Sequence, residues 1–266
     1  MEGKEISLLY QRDSYLNKDM DILINKDIME YDLKSANISL CREYNLLPEP
    51  VIQSIEDLPK KERVVKIGKM MRKDSKLKEG LKKAFPDMRR RFFEANEIED
   101  HDILTIKKDA IFTLRKCKVT QFGKCKFVPK NQYSSYMYVN KLEIYYKPDI
   151  FDPSQSVIHV KGISDAELAK HNNHMLAFLR TLFRHLEESS TSTKYTFIKN
   201  FMDNYKTRKL DPDFYREFDQ YSIIRSNDSD VTYDDATFIP YDNKTDHIEI
   251  SYNFFNILLP IARKII

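Results

Sequence analysis

The spacing of apolar residues changes several times along the chain, and each change marks an element. Residues 28–33, IMEYDL, combine alternating and flanking apolar positions and predict a short strand. Residues 35–46 then place Ile38, Leu40 and Cys41 on one side of a helix, with Ser35 as its N-cap and Pro48 and Pro50 closing it. Asp32 therefore stands at the carboxyl end of a strand, just before a helix N-terminus. Residues 60–73, KKERVVKIGKMMRK, carry an apolar stripe of Val64, Ile67 and Met71, with Arg63, Lys66, Lys69 and Lys73 around the other side. A second helix over 76–95 repeats the pattern with Leu77, Leu81, Ala84 and Met88, and Pro86 is expected to kink or restart it. The two together predict a helical hairpin with a basic surface.

From residue 102 the period becomes two. HDILTI and DAIFTLR flank Lys107 and Lys108, which reads as two strands around a tight turn, with Asp109 on that hairpin. Further strands are predicted at 125–129, 136–146 and 156–162. Helical spacing returns at 164–188, is broken by SSTST (189–193), and resumes at 194–209 and near 251–265. The fold class is α+β, and no internal repeat is visible.

Composition narrows the class. In 266 residues, 32% charged and 41% hydrophobic, there is no run of eighteen apolar residues and no signal-like apolar segment at the start. A cytoplasmic protein without a membrane partner is the expectation. Cys41, Cys117 and Cys125 are scattered, which fits a reducing compartment and argues against a disulfide framework or zinc site. Net charge is only +3 but unevenly placed: residues 60–91 hold fourteen Lys/Arg against four Asp/Glu, and 211–250 hold eleven acids against three bases. The first suggests a phosphate-bearing partner and the second a basic protein partner, although both also read as solvated surface. With five glycines there is no GxxxxGK[ST] and no GxGxxG, which excludes a P-loop or dinucleotide fingerprint; HExxH, GxSxG and the kinase set are absent too. His171 and His174 share a helix face, but without a third nearby ligand they read as surface and packing residues.

Asp32 and Asp109 form the pair with chemical interest. Two carboxylates on adjacent strands can hold two divalent ions roughly 3.5–4 Å apart, the arrangement of nucleotidyl transfer. A rigid sheet suits that task, because small displacements of reacting atoms are costly. The plain alternative is a strand-end aspartate that caps a helix and a Lys-Lys-Asp turn in solvent.

The stretch Asp32-Leu33-Lys34-Ser35-Ala36-Asn37-Ile38-Ser39-Leu40, with Asn45 beyond, resembles the first palm motif of B-family DNA polymerases, DFxSLYPSI. Ile106-Lys107-Lys108-Asp109-Ala110-Ile111-Phe112 is similar to their YGDTDSIFV hairpin, and Val160-Lys161-Gly162-Ile163 to their later Lys-Gly element. Lys107 replaces the first aspartate of DTD, and Asn37 stands where the family has tyrosine. The resemblance implies a palm sheet formed by 1–58 and 97–165, a fingers-like basic hairpin at 59–96, and a mostly helical thumb-like region at 166–266. It implies Asp32 and Asp109 as catalytic metal ligands for two Mg²⁺ or Mn²⁺ ions, and Asn37, Lys66, Arg89, Arg90 and Lys161 as substrate-binding residues. The partners would be a nucleoside triphosphate and a primer or single strand, and no proofreading domain is expected before Asp32. The alternative is a palm-fold protein that has lost catalysis and binds nucleic acid or protein, with Tyr133, Tyr136 and Tyr138 stacking bases.

Overall fold

The computed structural model describes residues 7–139, 141–162, 173–188, 191–207, 209–210, 223–226, 229–232 and 259–265. Its strands are β1 (Ser14–Leu16), β2 (Ile22–Leu23), β3 (Ile28–Leu33), β4 (Ile103–Lys107), β5 (Ala110–Thr113), β6 (Gln121–Phe122), β7 (Cys125–Tyr133), β8 (Ser135–Val139), β9 (Leu142–Lys147), β10 (Val157–Lys161), β11 (Ile223–Ser226) and β12 (Ser229–Thr232). Its helices are α1 (Ala36–Glu43), α2 (Glu49–Glu56), α3 (Lys60–Lys73), α4 (Ser75–Asn96), α5 (Asn173–Glu188), α6 (Thr191–Lys206) and α7 (Leu259–Ile265). The protein is α+β and divides into two compact units, Met1–Met20 with Lys26–Gln132, and Asp21–Asn25 with Tyr133–Ile266.

The first unit is built on a sheet of order β1-β4-β5-β3-β7-β6. The β4–β5 hairpin closes at Lys107 opposite Ala110, and β3 pairs antiparallel with β5 so that Asp32 also lies opposite Ala110. Period two along β3 sends Met29, Tyr31 and Leu33 into the core and leaves Glu30 and Asp32 on the other face. The four helices between β3 and β4 pack on that core through Leu40, Ile52, Ile67, Leu81, Met88 and Phe92. Phe92 is the hub, with its ring 4.2 Å from Phe127 and 5.5 Å from Tyr31.

Several local expectations are corrected. Pro48 and Pro50 do not simply close α1; they open α2, which the sequence pattern had not suggested. Proline suits a helix start because its missing N–H would have no partner there anyway. Helix α4 runs from Ser75 to Asn96 without restarting at Pro86, because the turns beyond it are held by buried Met88, Phe92 and Phe93. Val64 does not join Ile67 in the core: it is 60% exposed. Ser35 occupies the N-cap position of α1, but its side chain makes no capping bond and its backbone is left-handed, at φ 49°.

The second unit carries a sheet of order β10-β9-β8-β2. The single stretch 136–146 is a hairpin, β8 and β9, with Val139 opposite Leu142. The apolar face of this sheet, including Met137, Ile144 and Ile158, is covered by Leu179, Leu182 and Phe183 of α5. Tyr146 stacks on Phe183 at 5.3 Å and 7°. Ile198 and Phe201 of α6 and Ile261 of α7 complete this core. The unit boundary falls at Gln132 and Tyr133, inside the stretch 97–165. The acidic segment 211–250 lies outside the described residues except for β11 and β12, and so does His171. Among the described residues no helix is long and apolar enough to cross a membrane.

Candidate functional site

The end of β3 and the β4–β5 turn place two aspartates side by side. Leu33 donates its N–H to the Asp109 carbonyl at 2.9 Å, so the residue after Asp32 is bonded to the turn that carries Asp109. That turn is held on both sides of its peptide chain. The Lys108 N–H donates to the Asp13 carbonyl at 2.7 Å, and the Lys108 carbonyl accepts from Arg89 Nη1 at 2.7 Å. Lys108 has a positive φ of 54°, which these bonds help to fix.

Both carboxylates open into one cleft of about 760 Å³ within the first unit. Its walls carry five basic side chains, Lys34, Lys60, Arg63, Lys126 and Lys130, against the two aspartates. Lys130 Nζ lies 3.8 Å from Asp32 Oδ2 and 3.9 Å from Glu30 Oε1. Arg63 is anchored by donation from Nε to the Leu58 carbonyl at 2.6 Å. Burial raises the pKa of Asp32 first, and the neighbouring charge of Asp109 raises it further; Lys130 and Lys60 oppose that shift. The cleft thus combines two carboxylates that repel with a rim that attracts anions.

Asn37 also lines the cleft, and its Oδ1 is buried without a hydrogen-bond partner. A buried acceptor left unmade costs roughly 1–3 kcal/mol, the kind of deficit that functional sites carry. Ser39 Oγ donates to the Lys34 carbonyl at 2.6 Å, and the Lys34 N–H donates to the Lys126 carbonyl at 2.9 Å, so the loop from β3 into α1 is tied at both ends. Glu30, on the same strand face as Asp32, is buried and accepts from Asn131 Nδ2 at 2.6 Å. Among the described residues no group of three or more His, Cys, Asp or Glu is arranged to hold a metal ion; Asp32 and Asp109 are the two carboxylates that line this cleft.

The model of a family described as Bacteriophage PBS1 gene 130 protein matches residues 5–266. The chain belongs to that phage family. No curated protein matches it.

Of the residues singled out in the sequence, Asp32, Asp109 and Asn37 meet in this cleft, and Lys66, Arg89, Arg90 and Lys161 do not line it. Lys66 Nζ lies 3.5 Å from the Ser54 carbonyl and 3.4 Å from Ser54 Oγ. Arg89 is buried, donating to the Tyr10 carbonyl, the Lys108 carbonyl and Asp13 Oδ1 at 2.7, 2.7 and 2.8 Å. Arg90 pairs with Asp87 and Glu94 along its own helix, at 2.6 and 2.7 Å. Lys161 belongs to the second unit, with Nζ 5.7 Å from the centre of the Tyr145 ring. Tyr133 and Tyr136 are buried and offer no face to a base.

Lys60 and Arg63 belong to the basic stretch 60–91 that the sequence assigns to phosphate, but neither they nor Lys34, Lys126 and Lys130 stood out as site residues. Lys60 and Arg63 are three apart in the first turn of α3, on one face. Lys126, Val128 and Lys130 alternate along β7 against buried Cys125 and Phe127, which puts all three on the cleft side.

Proposed function

We propose that this phage protein is a minimal palm-type nucleotidyltransferase, a DNA or RNA polymerase that extends a primer or single strand. The observation that carries the reading is the meeting of Asp32 and Asp109 in one cleft whose other charged lining residues are all basic. The order also supports it: a strand ending in aspartate, a helical insertion, then a hairpin bearing the second aspartate beside that strand.

The implied cofactor is a pair of Mg²⁺ or Mn²⁺ ions, and the donor set fits it. Mg²⁺ is commonly held by one or two carboxylates together with substrate phosphates, which needs no third protein ligand. Burial first, and then the charge of Asp109, raises the Asp32 pKa, and a cation held by both carboxylates would offset both causes. When bound, such ions favour the attacking oxyanion and the departing pyrophosphate. Asp32 and Asp109 would hold them on the sheet. Lys60 and Arg63 from α3, with Lys126 and Lys130 from β7, would bind and orient the triphosphate and the strand's phosphates. Asn37 would face the sugar, where a side-chain amide can donate to or accept from a hydroxyl.

The test is Mg²⁺- or Mn²⁺-dependent incorporation of labelled nucleotide onto a primer. Incorporation lost in both Asp32→Asn and Asp109→Asn, with folding intact, is the expected result. No incorporation by the unsubstituted protein, or incorporation indifferent to both changes, ends the reading. A second reading, a palm-fold protein that binds nucleic acid without catalysis, is favoured by the approach of Lys130 to Asp32. Salt-sensitive binding in the cleft without incorporation would select it.

A further inference from the structure

The second unit carries its own exposed site. Between β9 and β10 the chain makes a loop in which Ile150 and Phe151 are 83% and 91% exposed, the two most exposed large apolar side chains among the described residues. The loop is well braced. The N–H groups of Phe151 and Asp152 both donate to Asp149 Oδ1, at 2.9 and 3.0 Å, and the Asp149 N–H donates to Ser156 Oγ at 3.0 Å. Asp152 Oδ1 in turn accepts from the Ser154 N–H and hydroxyl, at 2.9 and 2.7 Å. Such turns fix the backbone, so little conformational freedom is lost when the tip makes a contact.

At the foot of the same loop is a pocket of about 230 Å³, lined by Pro153, Ser154, Ala177, Arg180, Thr181 and Arg184. Among the described residues no carboxylate lines it. Arg180 spends Nε on the Ser156 carbonyl at 2.7 Å, which orients its guanidinium and leaves both terminal nitrogens as donors. Arg184 makes no ion pair among the described residues. Both hydroxyls in the lining are already donating, Ser154 Oγ to Asp152 and Thr181 Oγ1 to the Ala177 carbonyl, so the arginines are the donors left for an incoming anion. Phe151 and Ser154 are three positions apart, at most about 10 Å of chain, so the ring and the pocket are neighbours on the scale of a nucleotide.

We propose that this loop and pocket bind single-stranded nucleic acid, with a base stacked on Phe151 and a phosphate held by Arg180 and Arg184. An exposed planar ring beside unneutralised guanidinium groups is the combination that binds single strands with little sequence preference. The site does not depend on the activity assigned to the Asp32 cleft.

The chain contains no tryptophan, so Phe151→Trp introduces a unique fluorophore at the tip. The experiment titrates this variant, carrying Asp32→Asn, with a short oligothymidylate and follows tryptophan emission. Stacking should quench the emission, and adding Arg184→Glu should weaken the titration about tenfold and flatten its salt dependence. In the otherwise unaltered protein, Phe151→Ala should cost the local contact about five- to a hundredfold. Emission unmoved by oligonucleotide, or an unchanged titration with Arg184→Glu, overturns the proposal. Quenching by polyglutamate but not by oligonucleotide also overturns it and assigns the surface to an acidic protein.

Discussion

Helices α3 and α4 come from the same basic stretch, yet their cations do opposite things. On α3, Lys60 and Arg63 turn into the cleft beside Asp32 and Asp109. On α4, three consecutive arginines are absorbed by the fold. Arg89 braces the Asp109 turn and residues 10–13, Arg90 pairs with Asp87 and Glu94, and Arg91 pairs with Glu43 at 2.9 Å. Charge density along a sequence therefore says where phosphate is welcome only after the acidic partners have been subtracted.

The largest effect that would break this comparison concerns Arg89. Replacement by Met leaves Asp13 unpaired and two carbonyls without their donor, and breaking a buried pair commonly costs about 3–5 kcal/mol. Denaturant unfolding of Arg89→Met should show a loss near the lower end, since Asp13 itself is exposed. Lys60→Met should stay within about 0.5 kcal/mol. Equal losses would mean that the two helices are not divided as described.

Next is binding. Lys60→Glu with Arg63→Glu should weaken nucleoside triphosphate binding about tenfold or more, and flatten the salt dependence of nucleic-acid binding. Lys66→Glu with Arg90→Glu should change both less than about threefold, because neither side chain lines the cleft. Isothermal titration at two salt concentrations separates the outcomes. A reversed ranking would restore Lys66 and Arg90 as the phosphate-binding residues.

A smaller shift is expected at the sugar. If Asn37 faces it, the unsubstituted protein should accept ribonucleotides at rates comparable to deoxyribonucleotides. Asn37→Tyr should move that preference towards deoxyribonucleotides by about tenfold. Competition between the two sugars in one incorporation assay reads this directly, and strong rejection of ribonucleotides by the unsubstituted protein would remove Asn37 from the sugar.

The smallest effect is one of pH. The carboxyl pKa of Asp32 is raised in the folded protein, so folding holds its proton more tightly than the unfolded chain does. Its charge therefore lowers stability as pH rises from the ordinary carboxylate value through the raised one, and the full penalty stands above that. Without divalent ions, Asp32→Asn should be slightly more stable at neutral pH, by less than about 1 kcal/mol given the screening of a side chain 37% exposed. The gain should disappear below the ordinary carboxylate range. Thermal melts at pH 3 and pH 7 test the sign.

The sequence made the local elements plain where period and punctuation agreed. β3, α3 and the β4–β5 hairpin fall where their apolar spacing puts them; the adjacency of Asp32 and Asp109 followed only from the resemblance, since spacing does not say which strands pair. Arg90 was also readable, since acids three before and four after it on a helix are its natural partners. Arg89 was not, because Tyr10, Asp13 and Lys108 reach it only through the tertiary fold. Val64 misled because one exposed position on an apolar stripe looks like any other until a cleft opens beside it. Helix α2 was missed because two prolines close together read as a stop, although proline starts a helix as readily as it ends one.

The central claim is that Asp32 and Asp109 jointly hold divalent metal against a triphosphate bound by the α3 and β7 cations. A crystal grown with Mn²⁺ and a nucleoside triphosphate resistant to α–β cleavage tests it most directly, through the anomalous signal of manganese. The expected result is manganese density between the two carboxylates, with the phosphates reaching Lys60, Arg63 or Lys130. Triphosphate seated elsewhere, or a pair of aspartates that binds no manganese in its presence, would contradict it.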